Sequence, residues 1–124
     1  MADASLLEVF PNPHPKRHYL IHHTATEFSS VCPVTAQPDY ATLEFRYVAA
    51  ELCVELRSLK IYLQTYRSEG IYYEDVTNRI LDDLVACCSP RWMEVVSLWT
   101  IRGGIRSRIT ARHGDDAVVP TSLT

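Results

Sequence analysis

Polar and apolar residues alternate along two stretches in the first half of the chain, and this period of two is typical of strands with one buried face. The first stretch is His18 to Thr24. In the second, Ala41 to Val48, the residues Leu43, Phe45 and Tyr47 share one face. The sequence therefore predicts two strands before residue 50.

The period changes to 3.6 at Ser58, which is a suitable N-cap, and predicts a helix that reaches about Ser68. Gly70 interrupts this pattern, and a second helix is predicted from about Glu74 until Ser89-Pro90 stops it. The inward positions are Leu59, Tyr62, Leu63 and Tyr66 in the first helix, and Val76, Ile80, Leu84 and Cys87 or Cys88 in the second.

Two further strands are predicted at Trp92 to Ile101 and Gly104 to Arg112, joined by a hairpin at residues 102–104 whose glycines accept positive φ. In the last strand, Ile105 and Ile109 are expected to face inward. The order strand, strand, helix, helix, strand, strand predicts an α+β fold, with an antiparallel sheet that carries both helices on one face.

The length of 124 residues fits one domain. Pro11, Pro13 and Pro15 predict that residues 1–17 form an arm without a regular ladder. Residues 18–113 are then the single catalytic domain, and residues 114–124 a frayed C-terminal tail. A domain of this size is expected to need a neighbouring subunit to complete a large ligand pocket.

The formal net charge of −3 and pI near 5.9 argue against nucleic acid held by bulk charge, so no direct nucleic-acid partner is expected. No stretch approaches eighteen apolar residues and the N-terminus lacks a signal peptide, which predicts a cytoplasmic protein with no membrane partner. The four cysteines are expected to be free thiols, and their spacing predicts no metal site.

The stretch from Cys32 to Asp39 places a potential nucleophile and a potential acid in one turn that Pro33 and Pro38 stiffen. A thiolate attacks an electrophile, and a nearby carboxyl group can protonate the atom that becomes electron-rich. This pairing suits addition to a carbon–heteroatom multiple bond. The alternative is that Cys32 is a small buried hydrophobe and Asp39 a turn former.

Three cations, Arg57, Lys60 and Arg67, form a basic stripe near the start of the first helix, as phosphate groups require. The alternative is an ordinary solvated helix face. His22 and His23 point to opposite faces of a strand, so they are interpreted as ordinary strand residues.

The sequence resembles the NADPH-dependent 7-cyano-7-deazaguanine reductases, the QueF nitrile reductases of queuosine biosynthesis, a tRNA modification. The resemblance covers about Phe10 to Ile105 and is carried by motifs that fall in family order. These motifs are CPVTAQPD (32–39), ELRSLKIY (55–62), YR (66–67), GIYYE (70–74), Asn78 with ILDDL (80–84), PRWM (90–93) and RGGI (102–105). The resemblance implies a tunnelling fold, in which the sheets of a homo-oligomer close into barrels, two rings stack and active sites form between subunits.

The resemblance also implies roles for individual residues. Cys32 would form a covalent thioimide with the nitrile of 7-cyano-7-deazaguanine, Asp39 would protonate the nitrile nitrogen, and Tyr73 would stand at the proton-relay position. The residues implied to hold the base are Val54, Glu55, Leu56, Tyr73 and Glu74. Those implied to hold NADPH are Arg57, Ser58, Lys60, Arg67 and Arg102.

The chain departs from the usual family residues at five positions: it has Ala36 and Ser97 for Gly, Arg57 for Lys, Ser68 for Asn, and Tyr73 for His. Two alternatives to the reductase stay open. One is an amidinotransferase-like relative that captures the same nitrile on transfer RNA with ammonia and without NADPH. The other is a non-catalytic protein that binds 7-deazaguanines.

Overall fold

The computed structural model describes residues 2–120, so Met1 and residues 121–124, the end of the predicted tail, lie outside the described residues. The strands are β1 (Val9–Pro11), β2 (Ile21–Val31), β3 (Pro38–Val48), β4 (Leu52–Val54), β5 (Trp92–Trp99) and β6 (Arg108–Gly114). The helices are α1 (Leu56–Gln64) and α2 (Tyr73–Cys88), and 310 turns lie at Ala4–Leu6 and Asp116–Val118.

Four strands form an antiparallel sheet in the order β2-β3-β5-β6, and both helices contribute to the core on one face of it. Leu43, Phe45 and Tyr47 face this core and are at most 2% exposed, as their alternation predicts. The predicted inward positions of both helices are also buried, with Cys88 rather than Cys87 in the second. The predicted α+β order is thus confirmed.

The strands that flank Cys32 extend further than the alternation predicts. β2 begins at Ile21 and continues to Val31, past a register shift between Ala25 and Phe28, and β3 begins at Pro38. Placing Asp39 in a turn is therefore wrong, because it lies in β3, opposite Ser30 of β2. The turn between the strands holds only residues 32–37.

The prediction that the N-terminal arm has no ladder is also wrong. β1 pairs with β4 in a two-stranded antiparallel sheet, in which Val9 faces Val54. The arm is also fixed by hydrogen bonds from Asn12 N to Glu51 O (2.9 Å) and from Glu55 N to Glu8 O (3.0 Å). Pro11 ends β1, where its missing N–H costs no ladder bond.

Helix α1 begins earlier than predicted because Glu55, not Ser58, is its N-cap. The Glu55 carboxylate accepts hydrogen bonds from Arg57 N (2.7 Å) and Ser58 N (2.8 Å), two donors that a helix start leaves unpaired. The helix ends at Gln64, and Tyr66 is buried from the turn that follows rather than from the helix.

The glycine hairpin is confirmed, since Gly103 and Gly104 have φ values of 58° and 77° and Arg102 pairs with Ile105. Ile105 is 69% exposed, so its predicted inward position is wrong, because regular pairing resumes only at Arg108. The tail is not frayed at its start either. Gly114 ends β6 opposite Trp92, and Asp116 accepts a hydrogen bond from the Trp92 indole (2.7 Å).

Candidate active site

The turn after β2 holds the thiol of Cys32. It is closed by backbone hydrogen bonds from Cys32 N to Gln37 O (2.8 Å) and from Ala36 N to Cys32 O (2.9 Å). Hydrogen bonds from the Thr35 hydroxyl and from the Thr35 and Val34 amides lower the pKa of the Cys32 thiol, outweighing partial burial and the nearby Asp39 charge. This is the environment of a nucleophilic cysteine.

Ala36 has a φ of 59°, a left-handed conformation that costs a non-glycine residue about 1–2 kcal/mol. The family resemblance places glycine at this position, and the backbone conformation explains that preference. The Ala36 backbone is therefore strained in the turn that holds Cys32.

Asp39 is buried, at 4% exposure, and its carboxylate lies between a cation and a phenol. Arg102, from the glycine hairpin, forms an ion pair with Asp39 Oδ1. The Tyr73 hydroxyl donates a hydrogen bond to the same oxygen (3.2 Å). The hydrogen bond with Asp39 raises the pKa of Arg102.

Tyr73 is the first residue of α2 and stacks on Trp99, with ring centroids 3.9 Å apart and an interplanar angle of 10°. Burial, then the Asp39 charge, raises the pKa of Tyr73, so the phenol keeps its proton at neutral pH and can donate it in a hydrogen bond. The hydroxyl therefore serves as a donor to the carboxylate.

A buried hydrogen-bond network holds this stack in place. The Trp99 indole donates to Ser97 Oγ (2.8 Å), and Ser97 Oγ lies 2.7 Å from Thr77 Oγ1. Thr77 in turn donates to the Tyr73 carbonyl (2.7 Å). Ser97, where the family usually has glycine, thus supplies a hydroxyl that connects β5 to the start of α2.

Glu74 is an exposed residue in the first turn of α2, and its carboxylate is a hydrogen-bond acceptor near the other site residues. It lines a cavity of about 300 Å³ together with Cys32, Asp39, Tyr73 and Arg102. Among residues 2–120, its carboxylate forms neither an ion pair nor a hydrogen bond, so both oxygens are free to accept bonds from a ligand. The cavity thus combines a nucleophile, a carboxyl group, a phenol and a free carboxylate.

The other predicted site residues lie at or near α1, away from this cavity. Arg57 and Lys60 are in the first two turns of α1, whereas Arg67 follows its last residue, Gln64, so the predicted basic stripe does not lie on one helix. Leu56, Lys60 and Arg67 line a second cavity of about 270 Å³, and none of its lining residues also lines the first. Within the described part of the chain, Arg57, Lys60 and Arg67 form no ion pair, so their charges are available to an anion.

Three residues predicted to contact the base or NADPH use their polar groups in hydrogen bonds within the chain. Val54 is 3% exposed, with its N–H bonded to the Tyr47 hydroxyl (3.0 Å). The Glu55 carboxylate caps α1. Ser58 is 2% exposed, and its hydroxyl donates to Glu55 O (2.7 Å) and accepts from Glu8 N (2.9 Å).

The sequence did not predict a role in the site for three residues that contact its functional groups: Thr35, Thr77 and Trp99. Only Thr35, inside the Cys32 turn, gave a signal, because Thr and Ser hydroxyls bond to nearby groups in turns.

In the part of the chain that the structure describes, no three His, Cys, Asp or Glu side chains are placed to hold a metal ion. No helix between residues 2 and 120 has the length and apolar character needed to span a membrane.

Comparison with known proteins gives consistent results. The family model described as QueF-like protein matches residues 38–118. A protein of Rhodopirellula baltica named NADPH-dependent 7-cyano-7-deazaguanine reductase is 58% identical over 111 residues, which cover 90% of this chain and 92% of that one. Two further proteins with the same name are also similar. The one from Anaeromyxobacter sp. Fw109-5 is 57% identical, with 88% of this chain and 89% of that one covered, and the one from Thermomicrobium roseum is 52% identical, with 94% of this chain and 91% of that one covered.

Among solved structures, the apo form of the archaeosine synthase QueF-Like superposes with a TM-score of 0.73 at 20% identity, covering 77% of this chain and 94% of that chain. At this identity the likeness concerns the fold, and it agrees with the predicted tunnelling fold of one subunit. Sequence and fold together show that this chain belongs to the QueF-like protein family.

Proposed function

We propose that this protein is an NADPH-dependent nitrile oxidoreductase that reduces 7-cyano-7-deazaguanine to 7-aminomethyl-7-deazaguanine in queuosine biosynthesis. The observation that carries the proposal is the cavity in which an activated Cys32 thiol lies with Asp39, Tyr73 and Glu74. The relatives that share more than half of their aligned residues with this chain bear the name of that reductase.

The first step is addition of the Cys32 thiolate to the nitrile carbon. A C–S bond forms, one C–N π bond breaks, and the electron pair goes to nitrogen, which takes a proton from Asp39. The product is a covalent thioimide and an Asp39 carboxylate, which the Tyr73 hydroxyl is placed to stabilise. Asp39 must carry a proton before this step, so its ion pair with Arg102 has to open first.

Glu74 is suited to hold the base. A guanine-like edge presents an amine and a ring N–H side by side, and an ionised carboxylate accepts both in charge-assisted hydrogen bonds. A base without those donors would leave the carboxylate unpaired, which is how such a site rejects near relatives.

When bound, two molecules of NADPH in turn would supply the two hydrides that convert the thioimide to the amine, with one further proton taken up at nitrogen and Cys32 released as the thiolate. The unpaired cations of α1 and of the turn that follows it fit a dinucleotide, because phosphates need positive charge that no internal carboxylate already neutralises. Lys60 and Arg67 at the second cavity are the proposed phosphate ligands, with Arg57 beside them. Arg102 reaches phosphate only by leaving Asp39.

The separation of the two cavities supports a homo-oligomeric enzyme. Nucleophile and cofactor residues of one chain line different cavities, whereas hydride transfer requires them to be adjacent. We infer that α1 of a neighbouring subunit covers the Cys32 cavity, and that the edge strands β2 and β6 extend the sheet into a barrel. Assembly in stacked rings and a cytoplasmic location complete the proposal.

The test is nitrile-dependent oxidation of NADPH, together with the intact mass of protein incubated with the nitrile alone. The parent protein should gain the mass of the nitrile, Cys32→Ala should not, and Cys87→Ala, a matched control at a partly exposed cysteine, should behave like the parent. An unmodified parent would overturn the covalent mechanism. An adduct without NADPH oxidation would favour the amidinotransferase-like alternative if ammonia consumes it, and the binding protein if nothing does.

A further inference from the structure

The hydroxyl of Ser30 is buried without a partner. Ser30 is 0% exposed, and its Oγ forms no hydrogen bond within residues 2–120. An unpaired buried hydroxyl costs about 1–3 kcal/mol, a cost that alanine would avoid. A serine at this position therefore calls for a functional explanation.

The position of Ser30 supplies one. Ser30 lies directly opposite Asp39 in the ladder between β2 and β3. Residues paired in this way point to the same face of the sheet, with Cβ atoms about 4.5–5.5 Å apart. At this spacing a serine hydroxyl and a carboxyl group are close enough to form a hydrogen bond in suitable rotamers.

Asp39 already has two side-chain partners. Arg102 and Tyr73 both bind its Oδ1, on the side of the cavity that they line together. The Arg102 side chain is 42% exposed and comes from a glycine hairpin, so it is the partner that a ligand can displace. The charged and titratable groups that line the cavity with Asp39 are Cys32, Tyr72, Tyr73, Glu74 and Arg102.

We propose that Ser30 is a positioning residue for Asp39, whose hydroxyl bonds to the Asp39 carboxyl group once Arg102 has left it. This inference rests on the proposed function. When Asp39 gives its proton to the nitrile nitrogen, a buried carboxylate without its arginine remains. The Ser30 O–H then donates to that carboxylate and keeps it aimed at the new thioimide.

Loss of this donor should slow formation of the thioimide about tenfold, because the bond strengthens as negative charge develops. Rates measured at several nitrile concentrations should separate this slower chemical step from binding, because the maximal rate should fall while the half-saturating nitrile concentration stays the same. Affinity for the nitrile should be retained, because Ser30 is not among the residues that line the cavity. The melting temperature of Ser30→Ala should be no lower than that of the parent, because alanine removes an unpaired buried hydroxyl.

The experiment follows adduct mass against time for the parent, Ser30→Ala and Ser107→Ala, with 7-cyano-7-deazaguanine at several concentrations and NADP⁺, which carries the phosphates but no hydride. Ser107 is the control, because it is partly exposed just before β6 and lines neither cavity. Ser30→Cys, similar in volume but a weaker donor, is the second variant, with peptide mapping to confirm that the adduct is on Cys32.

Slow adduct formation in Ser30→Ala and Ser30→Cys, with retained affinity for the nitrile, melting temperatures no lower than that of the parent and a parent-like Ser107→Ala, would support the inference. Parent-like maximal rates in either folded Ser30 variant would overturn it and leave the proposed function intact. No adduct in the parent protein would overturn both.

Discussion

The phenol of Tyr73 offers the sharpest test of the site, because its two contacts can be separated by substitution. Tyr73→Phe removes the hydroxyl that donates to Asp39 and keeps the ring that stacks on Trp99. We therefore expect turnover to fall while the fold and the affinity for the base are retained.

The structure gives the size of this effect. A hydrogen bond to a charged group contributes about 1.5–3 kcal/mol, and the 3.2 Å length and partial exposure of this one place it near the lower end. About 1.4 kcal/mol corresponds to a tenfold change in rate, so kcat should fall about tenfold. The stack on Trp99 survives, so the melting temperature should change little.

The assay is steady-state NADPH oxidation at several nitrile concentrations, which separates kcat from KM. Tyr40→Phe is the matched control, because it removes an exposed phenol from the opposite face of β3. Tyr73→His restores the usual family residue and should match or exceed the parent near neutral pH, since imidazole titrates close to that pH. Unchanged turnover in Tyr73→Phe with loss of assembly in Tyr73→His would show that Tyr73 only packs, and would refute the reasoning.

Three further predictions concern other parts of the chain. Ala36→Gly should raise the free energy of unfolding by about 1 kcal/mol in urea titrations by relieving its positive φ; an unchanged midpoint would contradict this. Lys60→Ala and Arg67→Ala should each raise the KM for NADPH, less so at high salt, whereas Lys16→Ala, an exposed cation on the arm, should not; parent-like KM values would place the dinucleotide elsewhere. Burial acts to raise the pKa of Glu94, but hydrogen bonds from Arg112 and Arg46 outweigh burial and lower that pKa. The ionised Glu94 therefore stabilises the fold fully above its unfolded-state pKa of about 4.3, and this contribution is lost as the pH falls through its folded-state pKa. Glu94→Gln should lower the free energy of unfolding by about 2 kcal/mol at pH 7 and by less near pH 3. An equal loss at both pH values would disprove the ion-pair argument.

The sequence determined the elements of the core and the turn that carries the nucleophile. Alternation in β3 and the 3.6-residue period of both helices identified the buried faces, because burial on one side requires that spacing whatever the partner is. Two prolines marked the Cys32 turn, and two glycines marked the hairpin that carries Arg102. These signals are local, so they can be found without knowing the fold.

Only the tertiary structure decided what surrounds the reacting groups. Tyr73 and Arg102 lie 34 and 63 residues from Asp39 along the chain, and no local period records that they share one of its oxygens. Strand pairing likewise decided that Asp39 is buried in β3 opposite Ser30, because alternation marks a face and leaves the ends and register of a strand open. The charges and hydrogen bonds that tune the site depend on contacts between distant segments, and those contacts exist only once the sheet and helices have packed.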